Sequence, residues 1–401
     1  MQQKRLIRFF KWPPRMAGLE RSISLDFLIK NGLVYDPAQA CLERRDVALE
    51  DGKIACPDPQ RSYRQVVDAA NCIVTTGLID YHVHYFYRGT ENGVNPDASS
   101  FCCGVTTAVD GGSCGAGSYE LYRRTVMASS DVRILNCLLV ASGGQATDRY
   151  PENLDPAFFD EAKICRLFQQ YPDNLVGLKI RMSNGIVARG QAETSLRRAV
   201  EIAEKVGTRL VVHVTSPVIP LDQLAAMLRP GDVICHIYQN RGEHTCLDAQ
   251  GRVLSGLLEA QKRGVLFDAS NGRSNYDLET CRKAVEQGFV PDIISSDINT
   301  SSCFLQPLHS LPRILSKFLD FGMGLPQVLD AATAAPARLI GRPSLASMAE
   351  GTEADVCILR LKEKKVPYED INGNRFEGSR VLVPMMTFKG GECKFCQADF
   401  C

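Results

Sequence analysis

The triplet His82-Val83-His84 closes an apolar run, Ile73-Val74-Thr75-Thr76-Gly77-Leu78-Ile79-Asp80-Tyr81. Side chains two positions apart on a strand point to the same side, so both imidazoles could reach one metal ion. A half-buried strand edge would carry the same pattern, and the triplet alone does not separate the two readings. Two more histidines close apolar runs: His213 follows Leu210-Val211-Val212, and His236 follows Val233-Ile234-Cys235. Lys179 lies near the end of the run 175–181, and Asp297 ends Ile293-Ile294-Ser295-Ser296. Imidazole and carboxylate donors suit zinc, with manganese, iron or cobalt as alternatives. Taken singly, Lys179 reads equally well as a surface lysine and Asp297 as a helix cap.

Such chemistry needs those chain segments brought to one place. From residue 74 to about 300, short β-branched runs alternate with helix-like segments, the pattern of a parallel sheet with crossover helices. Eight runs qualify as strands: 74–84, 105–110, 133–141, 175–181, 209–215, 233–237, 265–269 and 293–297. Between them lie helices such as 192–206, where Leu196, Val200 and Ala203 recur at helical spacing before Gly207 ends the helix. Eight strands close an α/β fold of the (β/α)₈ TIM-barrel type, whose chemistry gathers at the C-terminal strand ends. All four histidines, Lys179 and Asp297 fall at such ends and would face one cavity.

The barrel is expected over residues 73–346. Segments 25–72 and 347–390 are β-rich and are expected to combine into one small β-sandwich-like domain built from both chain ends. Residues 1–24 form a basic extension, with Lys4, Arg5, Arg8, Lys11, Arg15 and Arg21 against Glu20, and Pro13-Pro14 stops any helix there. A disordered extension is the expectation for it, in preference to a secretory signal. The cysteine-containing tail, 391–401, holds a single C-x-x-C pair, Cys393 and Cys396, too few ligands for a closed zinc site.

The 46 Lys and Arg balance 46 Asp and Glu, which gives no electrostatic footing for nucleic acid or an anionic membrane. No run approaches the roughly 18 apolar residues of a spanning helix. Sixteen cysteines scattered over 401 residues do not form a disulfide framework, so a reducing cytoplasm fits best. The expected partner is a small-molecule substrate.

With those residues in order, the chain resembles the amidohydrolase superfamily, specifically its dihydroorotase-like and amidohydrolase/deacetylase branch. The resemblance is carried by Gly77-Leu78-Ile79-Asp80-Tyr81-His82-Val83-His84, Gly104-Val105-Thr106-Thr107-Ala108-Val109-Asp110, Gly177-Leu178-Lys179 and Ser295-Ser296-Asp297. It runs from about residue 25 to 390. It implies two metal ions per chain: His82 and His84 on one together with Asp297, His213 and His236 on the other, and a carboxylated Lys179, formed with CO₂, bridging them. Two cations sharing a water would bring its pKa from near 16 toward about 7, and one would polarise a scissile carbonyl. Asp297 would move the proton to the leaving group, a role worth about 10² to 10⁴ in rate. A homo-oligomer is also implied.

Dihydroorotases typically carry an arginine two residues after the second histidine of the triplet, where Phe86 stands here. Arg88 is displaced from that place. Arg181 and Arg241 are candidates to grip a carboxylate bidentately, with Tyr238 and Asn240 adding polar contacts, although each arginine reads as readily as a salt-bridge partner. The loop Gly111-Gly112-Ser113-Cys114-Gly115-Ala116-Gly117 lacks the P-loop pattern and is expected to shape the pocket, and Cys114 reads as an inert thiol. His244 and His309 match no ligand position. The expectation is hydrolysis of cyclic amide or N-acyl bonds. An esterase removing acetyl from a hydroxy acid is the second reading, and a catalytically silent scaffold is a third from another class.

Overall fold

The computed structural model describes residues 27–304 and 309–400. The basic extension expected over 1–24, and Cys401, lie outside the described residues.

Short runs near the N-terminus form β1 (Phe27–Lys30), β2 (Leu33–Asp36), β3 (Cys41–Arg44), β4 (Val47–Glu50), β5 (Lys53–Ala55), β6 (Gln65–Asp68) and β7 (Ile73–Thr76). The barrel strands are β8 (Leu78–Val83), β9 (Val105–Asp110), β10 (Arg133–Leu139), β11 (Leu175–Arg181), β12 (Leu210–His213), β13 (Val233–Cys235) and β14 (Leu266–Asp268). The C-terminal region supplies β15 (Val356–Glu369), β16 (Arg375–Lys389) and β17 (Glu392–Cys396).

Strands β8 to β14 form one parallel sheet in sequential order. Both faces of β8 and β9 are buried throughout, which is why these runs read as nearly continuous apolar sequence rather than as an alternation. Helices cover the outside. Helix Ala192–Lys205 buries Leu196, Ala199, Ile202 and Ala203, and Gly207, at φ 68°, takes the left-handed turn that releases the chain into β12.

Two strand expectations need correction. The first expected strand, 74–84, is two strands separated at Gly77. Ile73–Thr76 pairs with β15 and β2 in the small domain, and only Leu78–Val83 enters the barrel. A Cβ on residue 77 would lie 2.1 Å from Thr106 Oγ1, so the crossing between domains needs glycine. The eighth run, 293–297, closes the barrel without forming a regular strand. It bridges Asp268 at Ile293, and the next residue, Ile298, bridges Val83. Asp297 N donates to His82 O at 2.8 Å, while Ala269 N donates to Ile293 O at 3.0 Å. Asp80 tightens this seam by accepting from Ser296 N at 2.9 Å and Ser296 Oγ at 2.5 Å. The left-handed backbone of Asp297, φ 51°, interrupts the pleat there.

The chain ends meet in two sheets, β5-β4-β1-β6 and β17-β16-β15-β7-β2-β3. Phe27, Ile29, Val47 and Leu49 from one sheet pack against Val74, Val356, Ile358 and Phe388 from the other. Strand β17 carries the second sheet past residue 390, into the segment expected to be a tail. The β15-β16 hairpin is long enough to reach the barrel as well. Leu359, Val366, Tyr368 and Leu382 join the barrel core, and Leu382 N donates to Ser316 Oγ at 2.8 Å on helix Leu311–Asp320. Among the described residues no helix is long and apolar enough to cross a membrane.

Candidate metal centre and active site

At the C-terminal ends of the barrel strands a cavity of about 540 Å³ is lined by His82, His84, Lys179, His213 and Asp297. His82 and His84 leave the end of β8 with rings 5.6 Å apart, and Asp297 Oδ1 lies 3.2 Å from His84 Nε2 and 3.8 Å from His82 Nε2. These three side chains can offer ligand atoms mutually within 4.8 Å. The His236 ring lies 4.4 Å from that of His213 and 5.1 Å from that of His82. Lys179, 1% exposed, points its Nζ to 3.5 Å from His82 Nε2 and 3.5 Å from Cys235 Sγ. The six residues singled out in the sequence are thus gathered into one cluster.

The outer nitrogens of the imidazoles are held from behind. His82 Nδ1 contacts Ser270 Oγ at 3.0 Å, His84 Nδ1 contacts Ser113 Oγ at 2.9 Å, and His236 Nδ1 donates to Ser270 O at 2.7 Å. Each ring therefore turns its Nε2 toward the cluster, as metal-ligating histidines anchored through the other nitrogen do. Asp268 in turn accepts from Ser270 Oγ and from Ser295 Oγ. His236 Nε2 is buried and has no hydrogen-bond partner, a costly state for a ring nitrogen unless it meets a ligand.

Electrostatics keep these groups in ligating form. Burial, then the Lys179 charge, pushes His82 well down; burial, His236 and Arg181 do the same to His213; burial takes His236 to about 4 against the pull of Asp297. Neutral imidazoles are the metal-binding state. Burial alone would raise Asp297, but the His84 hydrogen bond and the His236 charge outweigh it and hold the carboxyl below its ordinary range. Its other oxygen accepts from Asn275 Nδ2 at 2.7 Å.

Backbone geometry serves the cluster directly. His236, Ser270 and Asp297 have φ of 64°, 36° and 51°, left-handed values that cost non-glycine residues about 1–3 kcal/mol each and collect at functional sites. The loop after β9 must be glycine-rich because a Cβ on Gly111 would sit 2.2 Å from His82 Cδ2, and one on Gly112 would sit 2.8 Å from Lys179 Cγ. Asp110 holds that loop by accepting from Ser113 N at 2.7 Å. Ser113, Ser270 and Asn275 escape sequence reading. Their only signal is the polar, glycine-rich character of the segments after strands, and that does not say which atom they hold.

Of the substrate candidates, Arg181 and Arg241 line the cavity. Arg181 also pairs with Glu152 at 3.2 Å and Gln145 at 3.2 Å. The other three do not line it. Tyr238 is fully buried and donates to Phe289 O at 2.9 Å, because the left-handed His236 ends the alternation that would have put residues 236 and 238 on one face. Asn240 is solvent-exposed. Arg88 turns away at φ 59° and lies over the Tyr87 ring at 5.2 Å. Cys114 is buried, with its thiol pushed well up by burial. His309 is half-buried, with Nε2 donating to Ser296 O at 2.8 Å, and His244 offers its carbonyl to Gln239 Nε2 at 2.8 Å.

No protein-family model matches the chain. A deacetylase of Agrobacterium fabrum is 28% identical over 352 residues, covering 85% of this chain and 84% of the relative. The crystal structure of a dihydroorotase superposes with a TM-score of 0.84 at 26% identity, covering 93% of this chain and 98% of the other. That of an adenine deaminase also reaches 0.84, at 24% identity, over 93% and 100%. The likeness in sequence and in fold thus extends along most of the chain, and it is to members of the amidohydrolase superfamily.

Proposed function

We propose that this protein is a metal-dependent amidohydrolase that cleaves the C–N bond of a small anionic substrate, removing an N-acyl group in preference to opening a cyclic amide. The observation that carries the reading is the gathering of four imidazoles, Asp297 and buried Lys179 into one cluster at the cavity, with His236 Nε2 left without a partner. His82, His84 and Asp297 would hold one divalent cation, His213 and His236 a second, and Lys179, as its CO₂ adduct, both. When bound, zinc or a similar ion supplies Lewis acidity and water activation at neutral pH.

The chain's own residues do the rest. Asp297, held in its ionised form, accepts a proton from the attacking water and passes it to the departing nitrogen. Asn275 fixes the carboxylate's orientation through Oδ2. Arg241, which makes none of the described ion pairs, is free to take a substrate carboxylate at the rim, with Arg181 deeper in the cavity. The N-acyl preference is supported by the Agrobacterium relative, which is named a deacetylase, and by Phe86. Phe86 is buried and stacked on Tyr122 at 4.6 Å, where dihydroorotases place an arginine. An acetyl ester would meet the same groups. Buried thiols such as Cys137 and Cys235 are unpaired, in keeping with the cytoplasm.

Elemental mass spectrometry on protein purified without chelators, with intact mass under non-acidic conditions, tests this reading. The expected result is about two metals per chain and a CO₂ adduct. Asp297→Ala is expected to lower hydrolysis of N-acyl amino acids by about 10² to 10⁴, and His84→Ala to lose metal. A chain that takes up no metal after zinc and bicarbonate are supplied would be a scaffold instead.

A further inference from the structure

A second cavity, about 520 Å³, lies behind the loop 271–276, against helix Leu311–Asp320 and the tip of the β15-β16 hairpin. Its charges are unbalanced. Lys317, only 3% exposed, directs Nζ to Asn271 Oδ1 and over the Tyr276 ring, 3.4 Å from its centroid. Arg313 Cζ lies 4.8 Å from the centroid of the Tyr368 ring, and the guanidinium donates to Pro367 O. Arg273 stands exposed at the edge. Among the described residues none of the three makes an ion pair.

Two carboxylates also line the cavity; both are held by other groups and neither forms a described ion pair with Lys317, although Asp370 favours its charge from further off. Glu369 pairs with Arg375 at 3.1 Å. Asp370 organises the hairpin turn, accepting from Asn372 N at 2.9 Å and Asn374 N at 3.0 Å, and it accepts from Leu278 N at 2.7 Å. A buried ammonium without a counter-ion is costly, and an anion from outside relieves that cost. Leu278, Ile314 and the faces of Tyr276 and Tyr368 make the remaining wall apolar, and the volume falls in the usual small-molecule range.

We propose that this cavity binds a small organic carboxylate with an aromatic or branched apolar body, its carboxylate between Lys317 and Arg313. The site is separate from the metal cluster but shares a wall with it. Asn271 N donates to Ser295 O and Gly272 N to Ser296 O, and Asn275 on the same loop holds Asp297. An occupant that draws Lys317 away from Asn271 therefore acts on the segment that carries Asp297.

The probe is 2-naphthoate, titrated calorimetrically into the full-length protein, with 2-naphthalenemethanol as its neutral counterpart. One naphthoate per chain is expected, with the alcohol at least about tenfold weaker, since a charge-assisted contact is worth that much. Lys317→Met and Arg313→Gln should each weaken naphthoate by about tenfold or more, while Arg241→Gln, in the other cavity, should leave it unchanged. Equal affinity for acid and alcohol, absence of binding, or loss with Arg241→Gln alone would overturn the proposal. Arg313 is half-buried, so its variant still tests the site if Lys317→Met fails to fold. The outcome does not depend on the chain being a metal hydrolase.

Discussion

Burial pushes Lys317 down to about 7, so its charge is a liability of the ligand-free fold. Between that value and the ordinary 10.5, the unfolded chain binds more protons at this site than the folded one. The penalty is fully present below pH 7 and fades as pH rises toward 10. Lys317→Met removes it, so the variant's stability to urea should exceed that of the wild type most at pH 7, by a few kcal/mol at most, with the gap narrowing by pH 10. A gap that does not vary with pH would mean that the fold leaves the amine's proton affinity as it is in the unfolded chain. Lys317 is invisible in the sequence because a lysine in an amphipathic helix reads as a solvated face, and its burial depends on a hairpin some fifty residues later. His82, His84, His213, His236 and Asp297 are legible for the opposite reason. Each sits where its own apolar run ends, so local pattern and barrel topology suffice to place it.

At the scale of elements, the glycine-rich loop after β9 is the piece whose geometry the site tolerates least. Gly111→Ala would drive a methyl into the His82 ring, and the ring has nowhere to go with Nδ1 held by Ser270. We expect this variant to keep its circular dichroism spectrum but to bind metal at least about tenfold more weakly, comparable to removing an outer-shell partner. Wild-type metal content would show that His82 can swing aside. The neighbouring strands show what patterning can and cannot say about elements. Alternating runs reveal seven regular barrel strands and their order, because buried parallel strands are apolar throughout. They do not reveal the break at Gly77, since Ile73–Thr76 and Leu78–Val83 are equally apolar, nor the irregular closing segment, whose conformation is dictated by Asp80 and His82 across the seam.

For the molecule as a whole, the hairpin couples the sandwich to the barrel. Leu359, Val366 and Leu382 belong to the barrel's own core, and β15 is the direct partner of β7. A chain ending after residue 355 is therefore expected to lose its cooperative near-ultraviolet thermal transition, not merely to shed a domain. A truncated barrel that still melts cooperatively would show that the hairpin only decorates it. The small domain's assembly from both ends is legible because β-rich segments flank the alternating region. Its reach across helix Leu311–Asp320 is not, since strand length alone does not say which surface a hairpin covers.

The pairing of β7 with β15 also sets a timetable. Ile73 meets Leu359 and Thr76 meets Val356, so one emerges from the ribosome long before the other. At roughly 5–20 residues per second, the nascent N-terminal strands wait on the order of a quarter of a minute to a minute for their partner. Throughout that interval β7 presents an unpaired apolar edge, a template for association with other chains. Stalled or prematurely released chains of this protein should therefore be clients of holding chaperones, whereas the finished chain buries the edge for good.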